Sequence, residues 1–231
     1  MATSGTYSFT VTRDDIIAAS LRLIEVYGEG DVITPAAITN CAQALNIWTK
    51  SLCTKGLFLW CVQDLAVPMV AGQAAYSIGL LSGQPRPLRI LAAYLRDTTG
   101  NDVVLTITSR YDYVELGQKA AQGIPNQLYY DPQLSNGIVT LYNVPSSSTY
   151  TLHLVIQRQI QDFNLATDNP DLPQEAYQML KWGLANEIAP EYGVRDSLLD
   201  RVERRAVAYL NEFADSQQEQ VSVFFTPSER T

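Results

Sequence analysis

Apolar residues recur along this chain with two different periods, and the change of period divides it. From residue 12 to about 56, and again from 173 to 216, they return every three or four positions, as on one face of an α-helix. Between about 61 and 160 they fall in short runs, several strictly alternating, separated by Gly, Pro, Asn and Ser clusters such as GQPRP, TTGND, LSNG and PSSST. That is the texture of strands and turns.

The clearest helical pattern starts at Pro173. Ala176, Leu180, Leu184 and Ile188 step by four with Met179 and Gly183 beside them, Pro173 suits a first turn, and Pro190 followed by Gly193 marks the stop. A second helix is predicted from Arg195 to about Ser216, burying Leu199, Val202, Ala206, Leu210 and Phe213, so that the two form an antiparallel hairpin. Near the start, Thr12 is an N-cap ahead of Asp14 and Asp15 at the positive end of the helix dipole, and that helix is expected to run to Gly28. Its apolar stripe is Ile17, Leu21 and Ile24, flanked by Ile16, Leu23 and Tyr27. Thr34 and Pro35 open another helix, to about Lys55, with Ile38, Cys41, Leu45, Trp48 and Leu52 at bundle spacing. Residues 1 to 11, with TYSFTV, read as an extended lead able to lie on a neighbouring surface.

In the middle, Val62, Leu65 and Val67, then Ala75, Tyr76 and Ile78 around Ala71-Gly72, read as a β-hairpin. Further strands are expected at Leu88 to Arg96, Asp102 to Ile107, Gln127 to Tyr130, Gly137 to Tyr142 and Tyr150 to Gln159, the last with period-two alternation. Ser109 and Asp112 form a capping box for a short helix to about Gln118. The predicted class is α+β: residues 1–60 and 161–231 make a discontinuous four-helix bundle, and residues 61–160 a β-rich insertion, sandwich or barrel-like.

Composition narrows the function more than the fold. The net charge is −8, from 24 acidic against 16 basic residues, and no segment is basic. A phosphate-gripping surface needs clustered Lys and Arg, so sequence-specific DNA binding is not expected. No run approaches the roughly 18 to 20 apolar residues of a membrane helix, and MATSGTYSFTVTRDD lacks the basic start and apolar block of a signal peptide, so a soluble protein made in the cytoplasm is expected. Cys41, Cys53 and Cys61 have no metal-type spacing and read as free thiols. The single histidine, His153, sits mid-strand and reads as structural, and no Gly-rich phosphate loop is present. No cofactor or metal is expected. Glu187 and Glu191, four apart at a helix end, are the one pair resembling hydrolase carboxylates, and more often such a pair is a solvated edge. Arg201, Arg204 and Arg205 are the tightest basic cluster, read as a solvated or subunit-contact face, with a phosphate contact as the alternative. The segment VSVFF ends in two adjacent Phe residues within a polar stretch, a pattern suited to docking on another chain by strand addition or aromatic anchoring, with packing on its own subunit as the alternative.

The ordered set YGEGDVITPAAITNCAQALNIWTKSL, LWCVQDLAVPMVAGQAAYSI and WGLANEIAPEYGV followed by a charged amphipathic helix resembles the head-to-tail adaptors of short-tailed bacteriophages, the tail tubular protein A or packaged-DNA stabilisation family. The resemblance implies a virion protein and no enzyme: a ring, expected to be a dodecamer, docked beneath the portal protein and joined below by the tail nozzle, with tail fibres as a further candidate partner and DNA passing through its channel. It implies a ring interface around Trp182, Glu187 and Tyr192, to which Arg201, Arg204 and Arg205 are added. It also implies a portal-docking segment within Val221 to Thr231, with Val221, Val223, Phe224, Phe225 and Pro227 as the contacts. The alternatives are a cell-wall hydrolase, a glycan-binding tail component, or a connector or stopper protein of long-tailed phages.

Overall fold

The computed structural model of the protein describes residues 3–55, 59–79 and 85–217. It is a mixed α and β structure that divides into two compact units, one of residues 1–48 with 163–231 and one of residues 49–162. Val221, Val223, Phe224, Phe225 and Pro227 lie outside the described residues.

The first unit holds α1 (Arg13–Leu23), α2 (Pro35–Lys55) as far as Trp48, α4 (Tyr177–Ile188) and α5 (Asp196–Ser216). Its hub is α4, against which α1 and α5 both pack. Met179, Leu180, Leu184, Ala185 and Ile188 are buried, as the four-residue spacing requires. Gly183 is the point of closest approach. A Cβ there would lie 2.0 Å from Cζ2 of Trp48, so the missing side chain is what lets the indole of α2 lie on α4. Ser20, fully buried in α1, donates to its own Ile16 carbonyl at 2.8 Å and to the Lys181 carbonyl of α4 at 2.9 Å. The Asn46 side chain donates to the Phe163 carbonyl and accepts from the Phe163 amide, both at 2.9 Å, fastening α2 to the returning chain. These contacts make a helical unit centred on α4 and differ from the even, mutual packing implied by a regular four-helix bundle.

Three helix predictions need correction, one of them the short helix after Ser109, which ends at Glu115 with Leu116 as its C-cap and not near Gln118. The first helix stops at Leu23, not Gly28. Its C-cap is Ile24, and Glu25 follows at φ 59°, with Val26 N donating to the Leu21 carbonyl and Glu25 N to that of Arg22. This is the Schellman arrangement, which usually has Gly at the left-handed position. In α5 the buried set is Leu198, Val202, Ala206 and Phe213; Leu199 and Leu210 are only half-buried.

The second unit is built on β1 (Val62–Pro68), β2 (Ala75–Gly79), β3 (Arg89–Arg96), β4 (Asp102–Thr108), β6 (Gln127–Pro132), β7 (Asn136–Tyr142) and β9 (Thr151–Gln157). They form one seven-stranded sheet in the order β1-β9-β3-β4-β6-β7-β2. A separate two-stranded pair joins β5 (Gln122–Gly123) and β8 (Val144–Pro145). All seven strands send side chains into one core, including Leu65 and Val67 of β1 at one end of the order and Tyr76 and Ile78 of β2 at the other. A sheet whose extreme strands share a core must be curled, so the unit is a single rolled layer instead of a two-layer sandwich. The one parallel pairing in it is β4 with β6, which needs a crossover; α3 (Arg110–Glu115), with its Ser109–Asp112 capping box, lies in that connection.

The expected β-hairpin between β1 and β2 does not form. The chain does turn where predicted, with Gly72 at φ 80° and Gln73 N donating to the Val70 carbonyl, but β1 pairs with β9 and β2 with β7. The turn is fastened elsewhere: Gly72 N donates to the Pro145 carbonyl at 2.8 Å, and the Tyr76 hydroxyl accepts from Val70 N at 3.0 Å. Alternation specifies which face a strand buries, not which strand lies beside it.

Candidate functional site

Within the first unit, the residues expected at a subunit interface behave in two ways. Trp182 and Tyr192 are half-buried by their own subunit. The Trp182 ring sits 6.1 Å from that of Tyr209 on α5, and the Tyr192 hydroxyl lies 3.8 Å from Sγ of buried Cys41. Burial first, and then the Cys41 contact, push the Tyr192 phenol up to about 12; burial likewise raises the Cys41 thiol. Glu187, Arg201, Arg204 and Arg205 are exposed. Arg204 Nε donates to the Asp200 carbonyl one turn back at 3.1 Å, and Arg201 lies 3.7 Å from Glu25. Glu25 also accepts from Arg195, the N-cap of α5, at 2.8 Å, so its carboxylate ties the end of α1 to the start of α5. Sequence spacing could not show this, since the partners are 170 residues apart.

In the second unit the outer face of the curled sheet carries a polar cluster that the sequence did not reveal. Register places Ala66, His153, Tyr94 and Val104 in one row across β1, β9, β3 and β4. The His153 ring stacks on Tyr94 with centroids 4.7 Å apart and planes 9° apart. His153 Nδ1 is 3.1 Å from Asp64 Oδ2, and the Tyr94 hydroxyl donates to the same oxygen at 2.7 Å. Arg96 lies over the Tyr94 ring at 5.2 Å and makes two hydrogen bonds of 2.7 Å to Asp102. The hydrogen bond to Asp64 raises the Tyr94 phenol, and the one from Arg96 lowers the Asp102 carboxyl. The carboxylate beside His153 is thus supplied from β1, 89 positions away in sequence. The network ties four strands together and gathers two carboxylates, one guanidinium and two stacked rings on the outer face; its members satisfy one another.

A comparable aromatic ladder docks α3 on β6. Tyr113 and Tyr129 stack at 5.3 Å, Arg110 covers Tyr129 and pairs with Asp131 at 2.6 Å, and Lys119 caps the helix by donating to the Val114 and Leu116 carbonyls. Tyr111 and Val114 of α3 and Val104 of β4 are exposed apolar side chains. Among the described residues no group of three or more His, Cys, Asp or Glu side chains could hold a metal ion, and no helix is long and apolar enough to cross a membrane. Cys41, Cys53 and Cys61 are free thiols, all buried.

What these units offer is surface: an exposed charged helix face on one, exposed apolar residues on the other. No curated protein matches the chain. The SU10 adaptor protein family model, however, matches residues 11–227, spanning both units. Over nearly its whole length, then, the chain belongs to the SU10 adaptor protein family, in keeping with the phage head-to-tail adaptor resemblance that its sequence carries.

Proposed function

We propose that the protein is a structural head-to-tail adaptor of a phage virion, assembling as a ring, a dodecamer matched to the portal, that docks beneath the portal protein, extends the DNA channel and receives the tail nozzle below. The observation that carries this reading is the family match over residues 11–227. The work is mechanical: heterologous contacts repeated around a closed ring hold the channel shut against internal pressure. Each interface need be only of standard size, roughly 800 Å² per partner, because closure multiplies it. The helices of the first unit, arranged as a four-helix wedge, are the ring-forming scaffold in this reading. The exposed side chains Glu187, Arg201, Arg204 and Arg205 support direct subunit contacts. Trp182 and Tyr192, held within their own subunit, back that surface. Val221, Val223, Phe224, Phe225 and Pro227 reach the portal, and the exposed Val104, Tyr111 and Val114 support a nozzle contact on the second unit. The net charge of −8 suits a channel past which DNA slides without specific binding.

The test is the mass of the full chain alone and mixed with portal. A monomer that forms rings only with portal is expected, and removal of residues 221–231 should abolish portal binding while leaving the melting transition in place. A truncated chain that binds portal as well as the full chain refutes the docking role. Particles that retain their genome without this protein refute the reading as a whole.

A further inference from the structure

A groove in the first unit is bounded by three stretches of chain. Its apolar lining comes from Phe9 and Val11 of the extended segment before α1, Ile16 and Ala19 of α1, and Tyr177 of α4. Its volume is about 320 Å³, at the low end of the roughly 300–1,000 Å³ of ligand clefts, which suits one or two side chains and not a cofactor. The outer wall is held in place. The Phe9 ring lies 6.1 Å from that of Tyr177, and the Gln174 side chain donates to the Tyr7 carbonyl at 2.8 Å.

The polar groups of the groove divide into those already engaged and those left over. Asp15 accepts from Thr12 N at 3.0 Å and from Thr12 Oγ1 at 2.7 Å, and Gln174 is committed to Tyr7. Gln178 and Lys181 follow Tyr177 at i+1 and i+4, on the same side of α4, and neither side chain has a partner among the described residues. Lys181 can only donate, and Gln178 can donate beside it. Lys181 is half-buried, yet among the described residues no carboxylate pairs with it, in a chain whose acidic residues outnumber the basic ones 24 to 16. By contrast, Lys50 pairs with Asp162, and Lys119 caps α3. A partly desolvated ammonium without a counter-ion costs free energy that an incoming anion offsets through a charge-assisted hydrogen bond.

One cation matches one negative charge. A phosphate monoester would bring close to two, into a groove that Asp15 also lines. We propose that this groove takes a segment of a partner protein in which a carboxylate, from Asp, Glu or a chain end, adjoins an apolar side chain. The apolar side chain lies among Phe9, Ile16 and Tyr177, and the carboxylate binds Lys181. The site goes beyond the adaptor reading and does not depend on it.

Zero-length carbodiimide coupling of the full chain tests this, because it joins an ammonium only to a carboxylate in contact with it. The probe is acetyl-Ala-Phe-Asp-amide, with acetyl-Ala-Ala-Asp-amide as the probe lacking the apolar group. Peptide mapping should find Lys181 coupled to the first probe at least tenfold more than Lys55, an exposed lysine at the end of α2, and coupled several-fold less to the second. Ala19→Trp, which fills the groove, should lower the Lys181 yield at least fivefold. In a chemical-shift titration, Lys181→Gln should weaken binding of the first probe at least fivefold and Lys181→Arg less than twofold, both with an unchanged melting transition. Equal coupling at Lys181 and Lys55, equal coupling of the two probes, or a Lys181 link to a carboxylate of its own chain overturns the inference. So does a Lys181→Gln chain that binds the probe like wild type. None of these outcomes touches the adaptor reading, whose test is ring formation with portal.

Discussion

Replacing Gly183 by Ala tests the packing of α4, because two effects of known size act there with opposite sign. Gly in a helix interior costs about 1 kcal/mol relative to Ala, so helix propensity alone makes the substitution stabilising. Against that, the new methyl would lie 2.0, 2.4 and 2.6 Å from three carbons of the Trp48 indole, where carbon contacts settle at about 3.5–4.0 Å. Trp48 is buried, so its ring must shift by roughly 1.5 Å into packed neighbours. Overpacking of this kind costs about 1–3 kcal/mol, and a clash with three ring atoms belongs at the upper end. The net loss is about 2 kcal/mol, or a Tm lower by about 4–8 °C for a chain of this size. The assay is thermal unfolding of four proteins: wild type, Gly183→Ala, Trp48→Leu, and the double variant. In the Trp48→Leu background the clash is gone, so Gly183→Ala should become neutral or stabilising by up to about 1 kcal/mol. A rise in Tm for Gly183→Ala with Trp48 intact refutes the packing argument.

Three further outcomes follow from the same structure. Glu25→Gly removes a left-handed conformation costing about 1–2 kcal/mol and surrenders exposed ion pairs to Arg195 and Arg201 that contribute at most about 1 kcal/mol; a slightly raised Tm with weaker salt dependence is expected, and a fall of several degrees contradicts it. Asp15, Asp97, Asp102 and Asp168 are all held below the usual carboxylate range, Asp97 by hydrogen bonds from Asn101 and Thr99 and Asp168 by the Leu165 and Asn164 amides. Their folded pKa values lie under the unfolded one, so the stability they contribute is present above about pH 4 and is lost as pH falls through the folded values; a Tm that drops more steeply at pH 6 than at pH 3 excludes this. Tyr192, raised to about 12, contributes stability that is full below about pH 10 and disappears as pH rises through 12. Ultraviolet difference titration should show the late-ionising tyrosine signal, to which the raised Tyr94, Tyr113, Tyr130 and Tyr177 also contribute, smaller by one residue in Tyr192→Phe, and Cys41 should resist alkylation at pH 8.

Local pattern was enough to place most elements. The Thr34-Pro35 start and Lys55 end of α2, the Ser109 capping box of α3, and the span of α5 were all legible, since caps, prolines and a 3.6-residue period act within a few positions of one another. The alternation of Leu152, Leu154 and Ile156 named the buried face of β9 correctly. The early end of α1 was not legible, because Glu25 occupies a left-handed position where pattern leads one to expect Gly, and a later helix supplies the arginines that its carboxylate binds.

Partner choice was decided in three dimensions. Nothing near Val62 says that its strand lies beside β9 and not beside the strand across the next turn, and nothing near His153 points to Asp64. The need for glycine at 183 depends on an indole 135 positions earlier. A chain encodes period, caps and turn chemistry through forces that reach a few residues. Pairing, curl and close approach come from burying many such segments in a shared core at once, and the winning arrangement depends on all of their surfaces together.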